Sequence, residues 1–115
     1  MVTVNLAGKS PSISVTPAAY DFGDVKVKKN KTASFVVKNG GKKNLSIYSA
    51  VTGADPSIFP ITTGSGNKTI KPGKTLTLKV AFKPTSKGAK SAILRITSDD
   101  PAAPITDIEL KGAGI

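Results

Sequence analysis

Catalysis needs groups that exchange protons, attack or ligate, and this sequence is poor in them. It contains no His, no Cys and no Trp. That excludes a disulfide framework, Cys/His metal sites, Cys or His nucleophilic catalysis and a His general base. Seven carboxylates remain. Asp99 and Asp100 are adjacent, so at a strand end they point apart. Nothing in the spacing pairs any two acids across one bond, as a glycosidase requires. A calcium site would need several more oxygens, from Asp21, Asp24 or loop carbonyls. The simpler role for Asp99 and Asp100 is to accept local backbone N–H groups in a turn before Pro101. The reading is therefore a non-enzyme with no catalytic, cofactor-binding or metal-binding residues, and with ligand-binding residues left open.

Other strings mimic functional motifs. Gly64-Ser65-Gly66-Asn67-Lys68-Thr69 resembles a phosphate-binding loop, but Asn67 replaces the Gly that must precede the Lys. Ile70-Lys71-Pro72-Gly73 then turns at once instead of opening a helix, so a flexible loop between strands is expected. Asp21-Phe22-Gly23 spells the kinase metal motif without its companion signatures. Glycosylation sequons stand at Asn30-Lys31-Thr32, Asn44-Leu45-Ser46 and Asn67-Lys68-Thr69. Their use needs a secretory route, and Asn beside Ser or Thr is ordinary in β-loops. Among Tyr20, Phe22, Phe35, Tyr48, Phe59 and Phe82, the residues Phe35 and Phe82 fall on inward strand faces, which points to core filling rather than base stacking.

Seventeen basic residues against seven acidic ones give a formal charge of +10 and a pI near 10.0. Such a field attracts polyanions without specificity. Every basic residue except Arg95 is Lys, and specific phosphate or base recognition leans on the Arg fork. The lysines spread from Lys9 to Lys111, clustering only at Lys26–Lys31 and Lys42–Lys43. They read as a diffuse coat, with no specific nucleic-acid partner.

The elements that must position these residues are strands. At 115 residues with 38% apolar and 21% charged content, the chain fits one globular domain. No apolar run approaches the roughly 20 residues of a membrane helix. Met1 to Asn5 lacks the charged and apolar regions of a signal peptide. Helical periodicity is absent, whereas alternation with period two recurs. Leu76, Leu78, Val80 and Phe82 share one face of Thr75–Phe82. Ala33, Phe35 and Val37 do so in a second run, Ala92, Leu94 and Ile96 in a third, Ile108 and Leu110 in a fourth. Shorter strands are expected at Ile13 to Thr16, Leu45 to Ala50 and Ile58 to Ile61. Turns fall at Asn39-Gly40-Gly41, at Asp99-Asp100-Pro101 and at Lys71-Pro72-Gly73-Lys74, where Gly supplies the positive φ of a type II turn. About seven short strands with one apolar face each predict an all-β, antiparallel sandwich.

The start of the chain echoes its end. Val4, Leu6 and Gly8 repeat the pattern of Ile108, Leu110 and Gly112. Residues 1–11 accordingly read as the tail of a preceding repeat plus a linker, with a domain over 12–115. A lone strand cannot offset roughly 1–2 kcal/mol of backbone entropy per residue, so order is expected to begin near Ser12.

Five motifs in order carry a resemblance: Pro17 to Val27 leading into Phe35 to Gly41; Lys71-Pro72-Gly73-Lys74; Leu76 to Pro84; Ile96 to Pro101; and Leu110 to Gly114. Together they resemble the ASH/Hydin-type Ig-like domain, which includes bacterial choice-of-anchor D repeats. That family is similar in fold to major sperm protein domains and pilus chaperones. The resemblance implies an Ig-like sandwich of about seven strands, with Asn39-Gly40-Gly41 joining the two sheets rather than closing a tight hairpin. It implies structural roles for Gly23 after a Phe22 anchor, for Pro72 and Gly73 in the turn, and for Phe82 and Pro84 at a strand end. The function it implies is a non-enzymatic binding or spacer module. The module would be one copy of a tandem array in a secreted or cell-surface bacterial protein, monomeric when isolated and contacting neighbouring repeats and protein or surface partners. The alternative is an intracellular scaffold of the ciliary or centrosomal type, whose Lys coat meets acidic partners such as microtubule surfaces.

Overall fold

The computed structural model describes residues 11–115. Nine strands occur among them: β1 (Ile13–Thr16), β2 (Ala19–Val25), β3 (Lys31–Asn39), β4 (Leu45–Thr52), β5 (Ile61–Thr63), β6 (Gly66–Ile70), β7 (Thr75–Phe82), β8 (Gly88–Ser98) and β9 (Ile105–Gly114). The first sheet runs β1-β3-β7-β5 and the second β2-β9-β8-β4-β6. Consecutive strands β3 and β4 belong to different sheets, so the Asn39-Gly40-Gly41 segment does link the two layers. The expected all-β, Ig-like sandwich is the fold.

The alternation decides the core. Ala33, Phe35 and Val37 of β3 stand opposite Val80, Leu78 and Leu76 of β7 in register, and all but half-buried Leu76 are closed to solvent. From the second sheet Leu45, Ile47, Ala92, Leu94, Ile96, Ile108 and Leu110 meet them. Burying each large apolar side chain contributes about 1.5–3 kcal/mol. At one end the rings of Phe22, Phe59 and Phe82 pack together, with the Phe59–Phe82 centroids 4.8 Å apart and nearly parallel. Phe22, Phe35, Phe59 and Phe82 are all core residues. The Pro-Gly turn forms as expected: Gly73 has φ +74, and Lys74 N–H donates to Lys71 O at 3.0 Å.

Three local expectations need correction. Gly64 to Thr69 is not a flexible loop: Gly66–Ile70 is strand β6, hydrogen-bonded along the edge of β4. Its sequence has no apolar alternation because an edge strand needs backbone pairing more than burial. Ile58 to Ile61 is not one strand. Pro56–Ile58 forms a 3₁₀ turn, and β5 starts only at Ile61. Lys83 N–H and Ala81 N–H donate to Ile58 O and Pro60 O, so this segment covers the end of β7 and closes Ala81 from solvent. The third is β2, which no alternation announced. It pairs with β9 in parallel, the one departure from antiparallel pairing among the described strands, and its register shifts between Asp21 and Asp24. Gly23 sits in that shift at φ +72 with its N–H on Asp21 Oδ1 at 2.8 Å, which brings Phe22 inward. The echo strand Val4 to Gly8, and the expected onset of order near Ser12, depend on residues outside those described.

Candidate functional site

The two poles of the sandwich, where the chain joins and leaves it, gather most of the polar chemistry. At the N-terminal pole Asn39 is the hub. The inward alternation of β3 carries on two residues past Val37 and buries this amide completely. Its Nδ2 donates to Lys43 O (2.6 Å) and Ile70 O (2.9 Å), and its Oδ1 accepts from Ser12 N–H (3.2 Å) and Gly41 N–H (3.0 Å). Each donor and acceptor site of the amide is used, which is the condition for burying it without penalty. Sequence reasoning saw only a turn here. The overlooked signal was a polar residue in inward phase at a strand end.

Asp99 and Asp100 complete this pole, and their role is larger than a local turn. Asp100 Oδ1 does accept the local Ala102 N–H at 2.8 Å, but Oδ2 accepts Ile13 N–H across 87 positions at 3.0 Å. Asp99 Oδ1 accepts Ser46 N–H at 2.9 Å. The two carboxylates point apart as expected, one fastening β1 and the other β4 to the β8–β9 connection. Asp21 and Asp24 lie in β2 beside Lys111 and Ala113, toward the opposite pole, so they share no ion site with Asp99. Among the described residues no three acidic side chains converge.

At the C-terminal pole Ile115 is tied on both sides. Its N–H donates to Val25 O and its O accepts from Val27 N–H, each at 3.0 Å. Lys28 N–H donates to Pro84 O at 3.1 Å, which joins the β2–β3 and β7–β8 loops.

The faces between the poles carry the remaining motif residues. Asn30, Asn44 and Asn67 of the sequons are exposed. Arg95, the single guanidinium, makes a two-pronged bond to Asp107, Nε–Oδ1 2.8 Å and Nη2–Oδ2 3.0 Å. This hydrogen-bonded pairing raises the Arg95 pKa and lowers that of Asp107. It occupies the fork that phosphate recognition would use. Tyr48 is 49% exposed, flanked in register by Asn67 and Thr97 above a shallow depression of about 230 Å³. A larger depression of about 320 Å³ is lined by Gly53, Ser91, Glu109 and Lys111 among others, with Ser91 and Lys111 opposite each other on β8 and β9.

The sandwich with its cross-sheet β3–β4 link and Phe-anchored β2 has the architecture of an Ig-like module of the ASH/PapD type. The chain belongs to the HYDIN/CFA65/VesB-like, Ig-like domain family, which matches residues 11–113. It is similar to the ASH/PapD-like domain 7 of human CEP192, with TM-score 0.75, 13% identity, and coverage of 92% of this chain and 87% of that one. A Porphyromonas gingivalis W83 protein of unknown function gives TM-score 0.76 and 19% identity over 93% of this chain and 48% of its own. The secreted serine protease VesC from Vibrio cholerae gives 0.60 and 15%, over 91% of this chain and 23% of its own. The chain thus spans about half of the second structure and a quarter of the third. Chaperones and MSP-family members share the fold. No curated protein matches the chain.

Proposed function

We propose that residues 12–115 form a non-enzymatic binding and spacer module, one copy of a tandem array in a secreted or cell-surface bacterial protein. Residues 1–11 then supply the tail of a preceding copy and its linker. The observation that carries this reading is the placement of the two ends. Ser12 and Ile13 are bonded at the pole of Asn39 and Asp100, whereas Ile115 is bonded at the opposite pole beside Val25 and Val27. A module traversed from pole to pole adds its full strand length to a chain of copies. Hydrogen bonds at both boundaries hold its orientation, and a linker as short as Lys9-Ser10-Pro11, stiffened by Pro11, limits bending between copies. A similar unit within the secreted VesC supports an extracellular setting.

The likeness to the CEP192 domain and the basic surface favour the second reading, an intracellular scaffold meeting acidic protein surfaces. Two measurements separate them. Small-angle scattering of a two-copy chain should give a maximum dimension near twice that of one copy. Protease added to intact cells bearing the full-length parent should remove the module. A compact, folded-back pair would remove the spacer role. Protection from protease together with co-sedimentation on microtubules would overturn the surface reading in favour of the scaffold.

A further inference from the structure

The lysines that look diffuse in sequence are brought together at the C-terminal pole. Lys26, Lys28 and Lys29 come from the β2–β3 connection and Lys31 from the first position of β3, and Lys83 and Lys87 come from the β7–β8 connection. More than fifty positions separate the two groups in the chain. The Lys28 N–H to Pro84 O bond and the register pairing of Lys31 with Phe82 place them side by side. Between them lies a depression of about 260 Å³ lined by Lys28, Lys29, Asn30, Lys83, Pro84 and Thr85. Neither connection contains an acid, and the acid nearest in sequence to the first is Asp24, one residue before the end of β2.

Like charges this close repel, so the arrangement costs stability unless something else favours it. The backbone adds a second cost. Lys28 holds φ +72, the only non-glycine residue with positive φ among those described, in the left-handed region that glycine occupies freely. It occupies the third position of the turn that Lys29 N–H closes onto Lys26 O at 2.9 Å, where a positive φ is needed and glycine would serve at no steric cost. The turn sets Lys28 on the rim of the depression that Lys83 also lines, against the β7–β8 connection.

We propose that this pole binds a linear anionic polysaccharide, its carboxylate or sulfate groups lying along the cleft between the two loops. The chemistry of the rim selects that class. Lysine ammonium groups are mobile point charges without the Arg fork, which suits a repeating polyanion read in many registers rather than one phosphate held in one pose. The neighbouring rings of Phe59 and Phe82 are buried, so no exposed aromatic at this pole stacks a nucleobase. Both connections are loops, so strand pairing with an acidic peptide would have to use the β2 edge outside the cleft. Binding at this pole requires no second copy of the module, so it stands or falls separately from the tandem arrangement.

The test measures heparin affinity of the full chain and of two variants of equal charge. Lys29→Glu/Lys83→Glu/Lys87→Glu alters the pole, and Lys38→Glu/Lys68→Glu/Lys79→Glu alters exposed lysines on the strands. The pole variant should lose about tenfold or more in affinity and the strand variant about twofold or less, with steep weakening by salt throughout. Lys28→Gly should keep or raise the melting temperature while weakening heparin binding, which separates a binding role from a structural one. Equal losses in the two triple variants would reduce the effect to net charge and overturn the site. Polyglutamate or oligothymidine binding as tightly as heparin would overturn the polysaccharide assignment.

Discussion

Asn39 and Phe82 show how single residues hold the two ends of the sandwich by opposite means. Phe82 is fully buried between Phe22 and Phe59, so Phe82→Ala removes apolar burial and leaves a cavity. Urea denaturation should register a loss of about 3–5 kcal/mol; a loss below about 1 kcal/mol would contradict the ring cluster. Asn39→Ala removes no large apolar surface, yet it strands two carbonyls and two N–H groups around a closed site. Each buried unsatisfied group costs about 1–3 kcal/mol, so the total should reach about 3 kcal/mol or more. Asn39→Asp should be worse at neutral pH than in acid. A carboxylate facing Lys43 O and Ile70 O has no proton to donate, and protonation restores one donor. Phe82 was legible from alternation alone. Asn39 was not, because its four partners come from three stretches of chain, two of them 27 and 31 positions away.

Strand by strand, the elements legible in the sequence were those buried on one face. β3, β7, β8 and β9 alternate because each has core on one side and water on the other. β6 and β2 are edge strands, and backbone pairing with a distant partner leaves little mark on side-chain choice. The β8–β9 pair also carries a pH signature through Arg95 and Asp107. The hydrogen-bonded guanidinium lowers the Asp107 pKa below its unfolded value, near 3.9. Its contribution to stability is therefore present above about pH 4 and lost as pH falls through the lowered folded pKa. The stability difference between the parent chain and Asp107→Asn should be seen at neutral pH, shrink with added salt because the pair is exposed, and disappear in strong acid. A difference that persists unchanged in acid would assign it to packing instead.

For the whole molecule, the placement of the ends predicts a mechanical response. Tension applied at Ser12 and Ile115 runs along the strands, so the β1–β3 ladder is loaded in shear rather than unzipped bond by bond. Asp100→Ala removes the Ile13 N–H acceptor and loosens β1 from the second sheet. Pulling on a chain of copies should show a lower unfolding force for that variant, and an unchanged force would deny β1 a load-carrying role. By itself the sequence determined the fold class, the inward faces, the Pro-Gly turn and the poverty of catalytic groups. Those depend on composition and on contacts whose period is written along each strand. Only the tertiary structure decided that β2 runs parallel to β9, that Asp99 and Asp100 fasten two strands, and that lysines from two loops form one basic pole. Each of these depends on which distant segments meet, and a backbone hydrogen bond or a shared field leaves no periodic trace in the residues that make it.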